Sequence, residues 1–294
     1  MSRKTFGPVL TAAIMTLFLC LGAQAATIDS DITDTADNQY NWTDATEITN
    51  GAVVTFTHTQ KLSGPITITN GTLNLGKENG FASVTSITVG SQGTLNFASK
   101  SPFGTDSNPR TFTIEEGGVL DFTANNGTFS NIAEIVLNGG TVQSSSTSVD
   151  ANYGAFLFRD NVTANADSLI TAPFTVRSGW GNNGGKPTWT VAENATLTIS
   201  GGVRFQDTGA NPDYPIITKA GAGTLLITSA AKAVHASAEF IISGGTLKFT
   251  NVNSLQSGSN AMKITVNNGK LMFEGSGGTI KNNIVITEGQ NVEF

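Results

Sequence analysis

The sequence contains little of what most catalytic and metal sites are made of. One cysteine, Cys20, and two histidines, His58 and His235, stand in 294 residues. A disulfide within the chain and a cysteine-based metal site are therefore excluded. Only 13% of the residues are charged, against an average of about 25%. No cluster of Lys and Arg is present, and because phosphate neutralisation dominates nucleic-acid binding, we expect no nucleic-acid partner.

Long apolar runs are also scarce, and the clearest one is at the N-terminus. Arg3 and Lys4 precede an apolar run over residues 9–22, and Ala23-Gln24-Ala25 follows it. A short basic start, an apolar stretch of this length and an A-x-A site are typical of a secretory signal peptide, and the run is too short to span a bilayer. We therefore predict that residues 1–25 are removed. Subtracting the two basic residues from 16 leaves 14 against 22 acidic residues, a net charge of −8.

The same segment allows a second interpretation, a lipoprotein with Cys20 as the acceptor. This is the weaker interpretation, because Leu19 stands where a small residue is needed.

Residues 26–47 form an acidic segment with a poor strand pattern. Its five aspartates are Asp29, Asp31, Asp34, Asp37 and Asp44. A calcium-binding EF-hand loop starting at Asp29 would need Gly at its sixth position and Glu at its twelfth, where Asp34 and Tyr40 stand. We predict a solvated segment that partly caps the first coil of the repeat region, because the open end of stacked strands invites further pairing.

What the chain does have is a short unit, a glycine turn followed by an alternating strand, repeated over residues 48–294. Gly223-Thr224-Leu225-Leu226-Ile227 recurs 22 residues later as Gly245-Thr246-Leu247-Lys248-Phe249. Repetition at this spacing indicates a solenoid or another stacked architecture. The turn position recurs at spacings of 20 to 28 residues, at Gly51, Gly71, Gly93, Gly118, Gly140, Asp167, Ala195, Gly223, Gly245, Gly269 and Gly289. These eleven units predict about eleven coils.

Aligning the units gives two apolar columns separated by a mostly polar one. The first column holds Leu73, Leu95, Leu120, Val142, Leu169, Leu197, Leu225, Leu247 and Leu271. The second column holds Leu75, Phe97, Phe122, Ser144, Thr171, Ile199, Ile227, Phe249 and Phe273. The column between them holds Asn74, Asn96, Asp121, Gln143, Ile170, Thr198, Leu226, Lys248 and Met272. Period-two alternation predicts that the apolar columns are buried and the middle one faces water.

Each unit reads as strand, tight turn, strand and then an arc of variable length. A two-residue turn could also make an antiparallel hairpin. The recurrence of side chains in register from unit to unit favours a solenoid, in which each strand pairs with its counterpart in the next coil. The predicted fold class is therefore all-β, a single-stranded parallel β-helix (β-solenoid).

One stretch resembles a known family. Lys219-Ala220-Gly221-Ala222-Gly223-Thr224-Leu225, followed by Gly244-Gly245-Thr246-Leu247, resembles the autotransporter-associated β-strand repeat of bacterial passenger domains. That repeat reads K-x-G-x-G-T-L-x-L, an arc, then G-G-T-L. The resemblance implies a right-handed parallel β-helix that is secreted or displayed at the cell surface in association with the outer membrane, often as a stalk or adhesin. The arc over residues 228–242 departs from the family pattern, because it lacks the usual aromatic and Gly-Gly-Thr element.

The leading functional prediction is a non-catalytic extracellular structural or adhesive solenoid without a cofactor. Its expected partners are surface glycans or host and matrix proteins, together with self-association through an uncapped C-terminal coil. A carbohydrate-binding module is the alternative, with Tyr153, Trp180 and Tyr214 in the less regular region as the aromatics that would contact a ligand. The other interpretation of these aromatics, which the sequence favours, is that they fill the core of wider coils. Trp189 fits the inward pattern of its strand and is expected in the core.

Polysaccharide cleavage, common among secreted β-helices, is the enzyme alternative. Such enzymes need convergent carboxylates with a cation, or paired acids that flank a glycosidic bond. Here both histidines are isolated, and the adjacent Glu115 and Glu116 occupy a turn. No phosphate-loop, metal-spacing or catalytic-triad pattern is present, so no catalytic or metal residue is predicted.

Overall fold

A computed structural model describes residues 26–103, 110–123, 134–145, 155–158, 160–176, 186–205, 215–257, 259–275 and 278–293. All regular elements within these ranges are strands, and nearly all of their pairings are parallel. Each strand pairs with a strand about one repeat further along the chain. The structure is therefore the predicted all-β parallel β-solenoid, and the array of antiparallel hairpins is ruled out.

The first row contains the strands that precede each turn, twelve segments in register one above the other. They are Ala26–Ile28, Thr46–Ile48, the beginning of Ile66–Leu75, the beginning of Ser86–Phe97, Thr111–Glu115, Glu134–Asn138, Asn161–Ala166, Thr188–Val191, Ile216–Ala220, Glu239–Ile242, Lys263–Val266 and Ile284–Ile286.

The second row contains the strands that follow each turn, again twelve segments. They are Ile32–Thr33, Ala52–Phe56, the ends of the two long strands Ile66–Leu75 and Ser86–Phe97, Val119–Phe122, Thr141–Gln143, Ser168–Ile170, Thr196–Ile199, Thr224–Ile227, Thr246–Phe249, Lys270–Phe273 and Asn291–Glu293.

Parts of the arcs form a third, shorter row. Asn41–Trp42 pairs with Lys61–Leu62 near the N-terminal end. Four further strands stack in parallel in the middle, Phe156–Phe158, Phe174–Val176, Val203–Phe205 and Ala233–Val234. A single antiparallel pair among the described strands, Gln256–Ser257 with Asn260–Ala261, lies in a later arc.

The solenoid has slightly fewer turns than the predicted eleven. The chain makes about nine regular turns. The repeat therefore predicted the architecture correctly and overestimated its regular length.

The core runs continuously along the solenoid axis. Strand alternation places Leu225 and Ile227 inside and leaves Leu226 between them on the outer face. In the middle of the molecule a chain of aromatic rings fills the interior, with centroids 4.5 to 6.0 Å apart: Phe122, Phe156, Phe174, Trp189 and Phe240. Edge-to-face and offset contacts at such distances add to the stabilisation from burying the rings.

The turns require glycine for two different reasons. Gly245 has φ = +63°, a left-handed conformation that side chains disfavour. At Gly223 a Cβ atom would overlap the carbonyl oxygens of Ala192 and Ala195 from the previous level. The glycines of the G-T-L units thus allow successive turns to lie close together.

The predicted side-chain orientation is wrong at Asp121, which is 7% exposed, and is reversed over residues 169–171. Ile170 is 1% exposed and stacks between Val142 and Ile199, whereas Leu169, predicted to be inside, is on the outer face. The cause of the reversal lies one strand earlier, where the pairing passes over Asn165 as a bulge. An extra residue reverses the alternation, so the side chains that follow it in this turn change face.

Candidate interaction surface

The three aromatic residues predicted to contact a ligand, Tyr153, Trp180 and Tyr214, lie outside the described residues. Trp189 is fully buried, with its ring centroid 6.0 Å from that of Phe174 and 5.9 Å from that of Phe240. The alternation of its strand had placed it in the core, and that prediction is confirmed.

Asp34 is a buried carboxylate that accepts hydrogen bonds through both of its oxygens. Its Oδ1 accepts hydrogen bonds from the backbone N–H and the hydroxyl of Thr57, each at 2.8 Å. Its Oδ2 accepts from the backbone N–H of His58 and the side-chain amide of Gln60, also at 2.8 Å. Burial alone would raise the pKa of Asp34, but the bonds from Thr57 and His58 outweigh it and lower the pKa below 3.8. All of these bonds hold one turn to the next.

Two neighbouring aspartates act in the same way. Asp31 accepts the backbone N–H of Val53 at 2.8 Å, and Asp37 accepts that of Thr59 at 2.7 Å. The acidic segment is thus built into the first turn, and its description as solvated is wrong for Asp34, which is 4% exposed. The three-residue spacing of Asp31, Asp34 and Asp37 is visible in the sequence. Their hydrogen-bond partners lie more than 20 residues away and could not be identified from the sequence.

Lys219 has an equivalent role at the turn of the repeat that resembles the autotransporter family. Its side chain is buried, and Nζ donates hydrogen bonds to the carbonyl oxygens of Ala220 at 2.7 Å, Gly221 at 2.8 Å and Gly244 at 3.1 Å. Burial lowers its pKa from 10.5 to about 8. The lysine of the K-x-G-x-G pattern therefore satisfies turn carbonyls on two successive levels.

Polar side chains on the outer face of the second row bond to each other from level to level. The side-chain amide of Asn74 donates to the Thr55 hydroxyl at 3.0 Å, and that of Asn96 donates to the Asn74 side-chain oxygen at 2.9 Å. The Thr123 hydroxyl continues the series by donating to Asn96 at 2.6 Å. We call these residues the amide ladder. It accounts for the asparagines of the polar column, which stabilise the stack.

Ion pairs occur on the outer faces of both rows. Lys248 Nζ lies 2.8 Å from a carboxylate oxygen of Glu274, and Lys263 Nζ lies 3.0 Å from one of Glu239. Both pairs join successive turns. Because their side chains are partly solvated, each contributes little to stability by itself.

One rank of side chains, a line that runs from level to level on the outer face of the first row, carries no charge. Thr67, Thr88, Thr113, Val136, Thr163 and Thr190 follow each other in register, at about 4.8 Å from level to level. β-branched residues suit a strand for packing reasons alone. The rank therefore stabilises the sheet and presents a flat, uncharged surface rich in hydroxyl groups.

The described histidines and carboxylates form no metal-binding cluster. Among the described residues, no group of three or more His, Cys, Asp or Glu side chains could hold a metal ion. His58 Nδ1 lies 3.3 Å from Asp34 Oδ1, and His235 Nδ1 accepts the backbone N–H of Ser237 at 3.2 Å. The first contact joins two successive turns, and the second is local to its own loop. No helix long and apolar enough to cross a membrane occurs in the described part of the chain.

Comparisons with family models, with curated proteins and with solved structures found no match. The geometry shows a repeat protein of the β-solenoid type. The finer assignment to the autotransporter-associated repeat rests on the motif at residues 219–247.

Proposed function

We propose that this chain is a non-catalytic structural or adhesive solenoid that is exported and displayed at the cell surface, like the passenger stalk of an autotransporter. One observation carries the proposal: many of the polar and ionisable side chains in the described part of the chain join one turn to the next. Asp34, Lys219 and Asn96 illustrate this use with a carboxylate, an ammonium and an amide. A rod held together in this way provides length and rigidity.

Export is tested first by expressing the full 294-residue chain in a Gram-negative host and separating the cell fractions. Mass spectrometry of the exported protein should give a chain that starts at Ala26. Protease added to intact cells should digest the protein if it is displayed. Retention in the cytoplasm with residues 1–25 intact would contradict the proposal.

The adhesive role is tested with microspheres coated with the exported protein, which should be retained on glycan-coated and matrix-coated surfaces. Spheres coated with heat-unfolded protein are the control. If the coated microspheres are retained no better than this control, the adhesive role is contradicted and only the structural role remains.

The enzyme alternative is polysaccharide cleavage. The purified protein should release no reducing ends from polygalacturonate or from neutral polysaccharides, with or without calcium. Turnover that disappears on substitution of one Asp or Glu would overturn the non-catalytic part of the proposal.

A further inference from the structure

A polar groove lies on the third row, near the N-terminal end of the solenoid. There Asn41–Trp42 pairs with Lys61–Leu62. Leu62 is buried, and Trp42 packs on Phe56 with ring centroids 5.1 Å apart. Asn41 and Lys61 alternate with these two residues and are exposed in a concavity of about 370 Å³.

The walls of the groove are fixed by backbone hydrogen bonds. The N–H of Lys61 donates to the Tyr40 carbonyl at 3.1 Å, and that of Asn79 donates to the Ser101 carbonyl at 2.8 Å. Below them the buried Gln60 accepts the backbone N–H of Tyr40 at 2.8 Å. Asn38 and Asn79, both in the lining, have φ = 56°, a conformation that asparagine tolerates better than most residues. The groove is therefore formed before any ligand binds.

The side chains that line the groove differ in one respect from the amide ladder. Asn74 and Asn96 bond to side chains of neighbouring turns. Within the described residues, the side chains of Asn38, Asn41, Asn79 and Lys61 line the groove without a hydrogen bond to another protein group. The same groove also presents the hydroxyls of Thr43, Ser63 and Ser83.

The charge of the groove restricts what can bind there. Lys61 is the only ionisable side chain among the described residues of its lining, and no carboxylate is present among them. The neighbouring Asp37 uses Oδ1 to accept the Thr59 N–H. A single ammonium on an exported chain with a net charge of −8, 14 basic against 22 acidic residues after removal of residues 1–25, does not favour a polyanion, because like charges on the rest of the surface repel it.

We infer that this groove binds a short stretch of a neutral glycan. Amide groups both donate and accept, as sugar hydroxyls do, and hydroxyl side chains also do both. The volume lies within the range of small-molecule sites, about 300–1,000 Å³. The inference deepens the adhesive half of the proposed function and rests on it for its biological setting.

The test uses the chain purified from whichever cell fraction contains it and four hexasaccharide probes: cellohexaose, maltohexaose, mannohexaose and the acidic hexagalacturonate. Binding is measured by calorimetry and by amide chemical shifts. The groove variant is Asn41→Ala combined with Asn79→Gly, since glycine tolerates the positive φ at position 79. The matched control is Asn74→Ala with Asn96→Ala, which removes two amides from the amide ladder. Thermal melts check that both variants are folded.

We expect at least one neutral hexasaccharide to bind the unmodified chain and to shift amides near residues 38–43 and 79–83. The groove variant should bind it at least about tenfold more weakly, and the control should bind it normally. If a double substitution prevents folding, Lys61→Ala, at an exposed position, replaces the groove variant, with the same expected direction.

Three results would overturn the inference: no neutral probe binds, hexagalacturonate binds more tightly than every neutral probe, or the groove variant binds normally. These failures are separate from failure of the proposed function. A chain that is displayed and adhesive but binds no neutral glycan disproves the groove site alone. A chain that binds cellohexaose but stays in the cytoplasm disproves the display alone.

Discussion

The turn glycines differ in what a side chain would meet. At Gly51 an added Cβ atom would have no neighbour within 4 Å, and only the left-handed φ of +74° disfavours other residues. At Gly223 the obstacle is the backbone of the previous turn, which cannot move without disturbing the stack. The same residue type thus has a conformational role in one turn and a steric role in another.

Gly51→Ala should lower the free energy of unfolding by about 1 kcal/mol, the cost of a positive φ for alanine. Gly223→Ala should lower it by at least about 2–3 kcal/mol, because the added methyl group overlaps backbone atoms. Urea melts of the two variants measure the difference. Equal losses in the free energy of unfolding would contradict the steric difference between the two turns.

Lys219 makes stability depend on pH on the alkaline side. Its pKa in the folded chain is about 8, against 10.5 without burial. Between these values the unfolded chain binds more protons than the folded one, so the free energy of unfolding rises with pH. The rise attributable to Lys219 is at most about 3 kcal/mol, and it is smaller to the extent that the three carbonyl oxygens stabilise the ammonium.

The measurement compares the unmodified chain with Lys219→Met in urea melts from pH 7 to 11. The unmodified chain should gain stability relative to Lys219→Met as pH rises through about 8, and the gain should level off once the unfolded lysine has also lost its proton. Parallel curves for the two proteins would show that Lys219 titrates normally.

Asp34 gives a dependence of the same sign on the acid side, where stability also rises with pH. Because its pKa is lowered below 3.8 in the folded chain, its contribution is present above that value and is lost as pH falls through the folded pKa. Asp34→Asn should remove this dependence and cost about 1–3 kcal/mol near neutral pH, since it disturbs several buried hydrogen bonds. Acid titrations followed by circular dichroism test this, with the exposed Asp29→Asn as control. An Asp34→Asn acid transition that coincides with that of the unmodified chain would contradict it.

The strands show where sequence patterns suffice and where they do not. The alternation of Leu225, Leu226 and Ile227 predicted burial correctly, because period two follows from strand geometry. It failed at Leu169 because the bulge at Asn165 depends on how two distant strands pair.

The same limit applies to the candidate surface. Sequence reasoning did not find the groove, because Asn41 and Asn79 are brought together only by the winding of the chain.

Ile170→Ala and Leu169→Ala test the corrected orientation directly. Ile170 is buried, so its truncation should cost about 2–5 kcal/mol. Leu169 is on the outer face, and its truncation should cost less than about 1 kcal/mol. Urea melts measure both. The reverse order would restore the original assignment of Leu169 to the core.

At the scale of the whole molecule, each turn contacts mainly its neighbours, so stability is distributed along the axis. Residues 221–249 have buried side chains on both inner rows and strands paired above and below. Towards the last described level, Val285 is 41% and Ile286 is 47% exposed. Local opening should follow this difference in burial.

Hydrogen exchange of the exported chain should therefore show weaker protection of amides at residues 279–293 than at residues 221–249. At high concentration, association through the exposed strand Ile284–Ile286 should increase the protection of that end, which analytical ultracentrifugation would detect as oligomers. Even protection in a strict monomer would show that this end is stable by itself.

Because the turns stack in register, the number of repeat units sets the length of the solenoid. Thr224, Leu225 and Ile227 lie directly beneath Thr246, Leu247 and Phe249, so excision of residues 224–245 would bring equivalent positions into contact with the levels on either side. The product would be shorter by one step of about 4.8 Å and otherwise unchanged in cross-section. Gain or loss of a unit would alter how far the molecule reaches without altering its shape, so reach could evolve separately from fold.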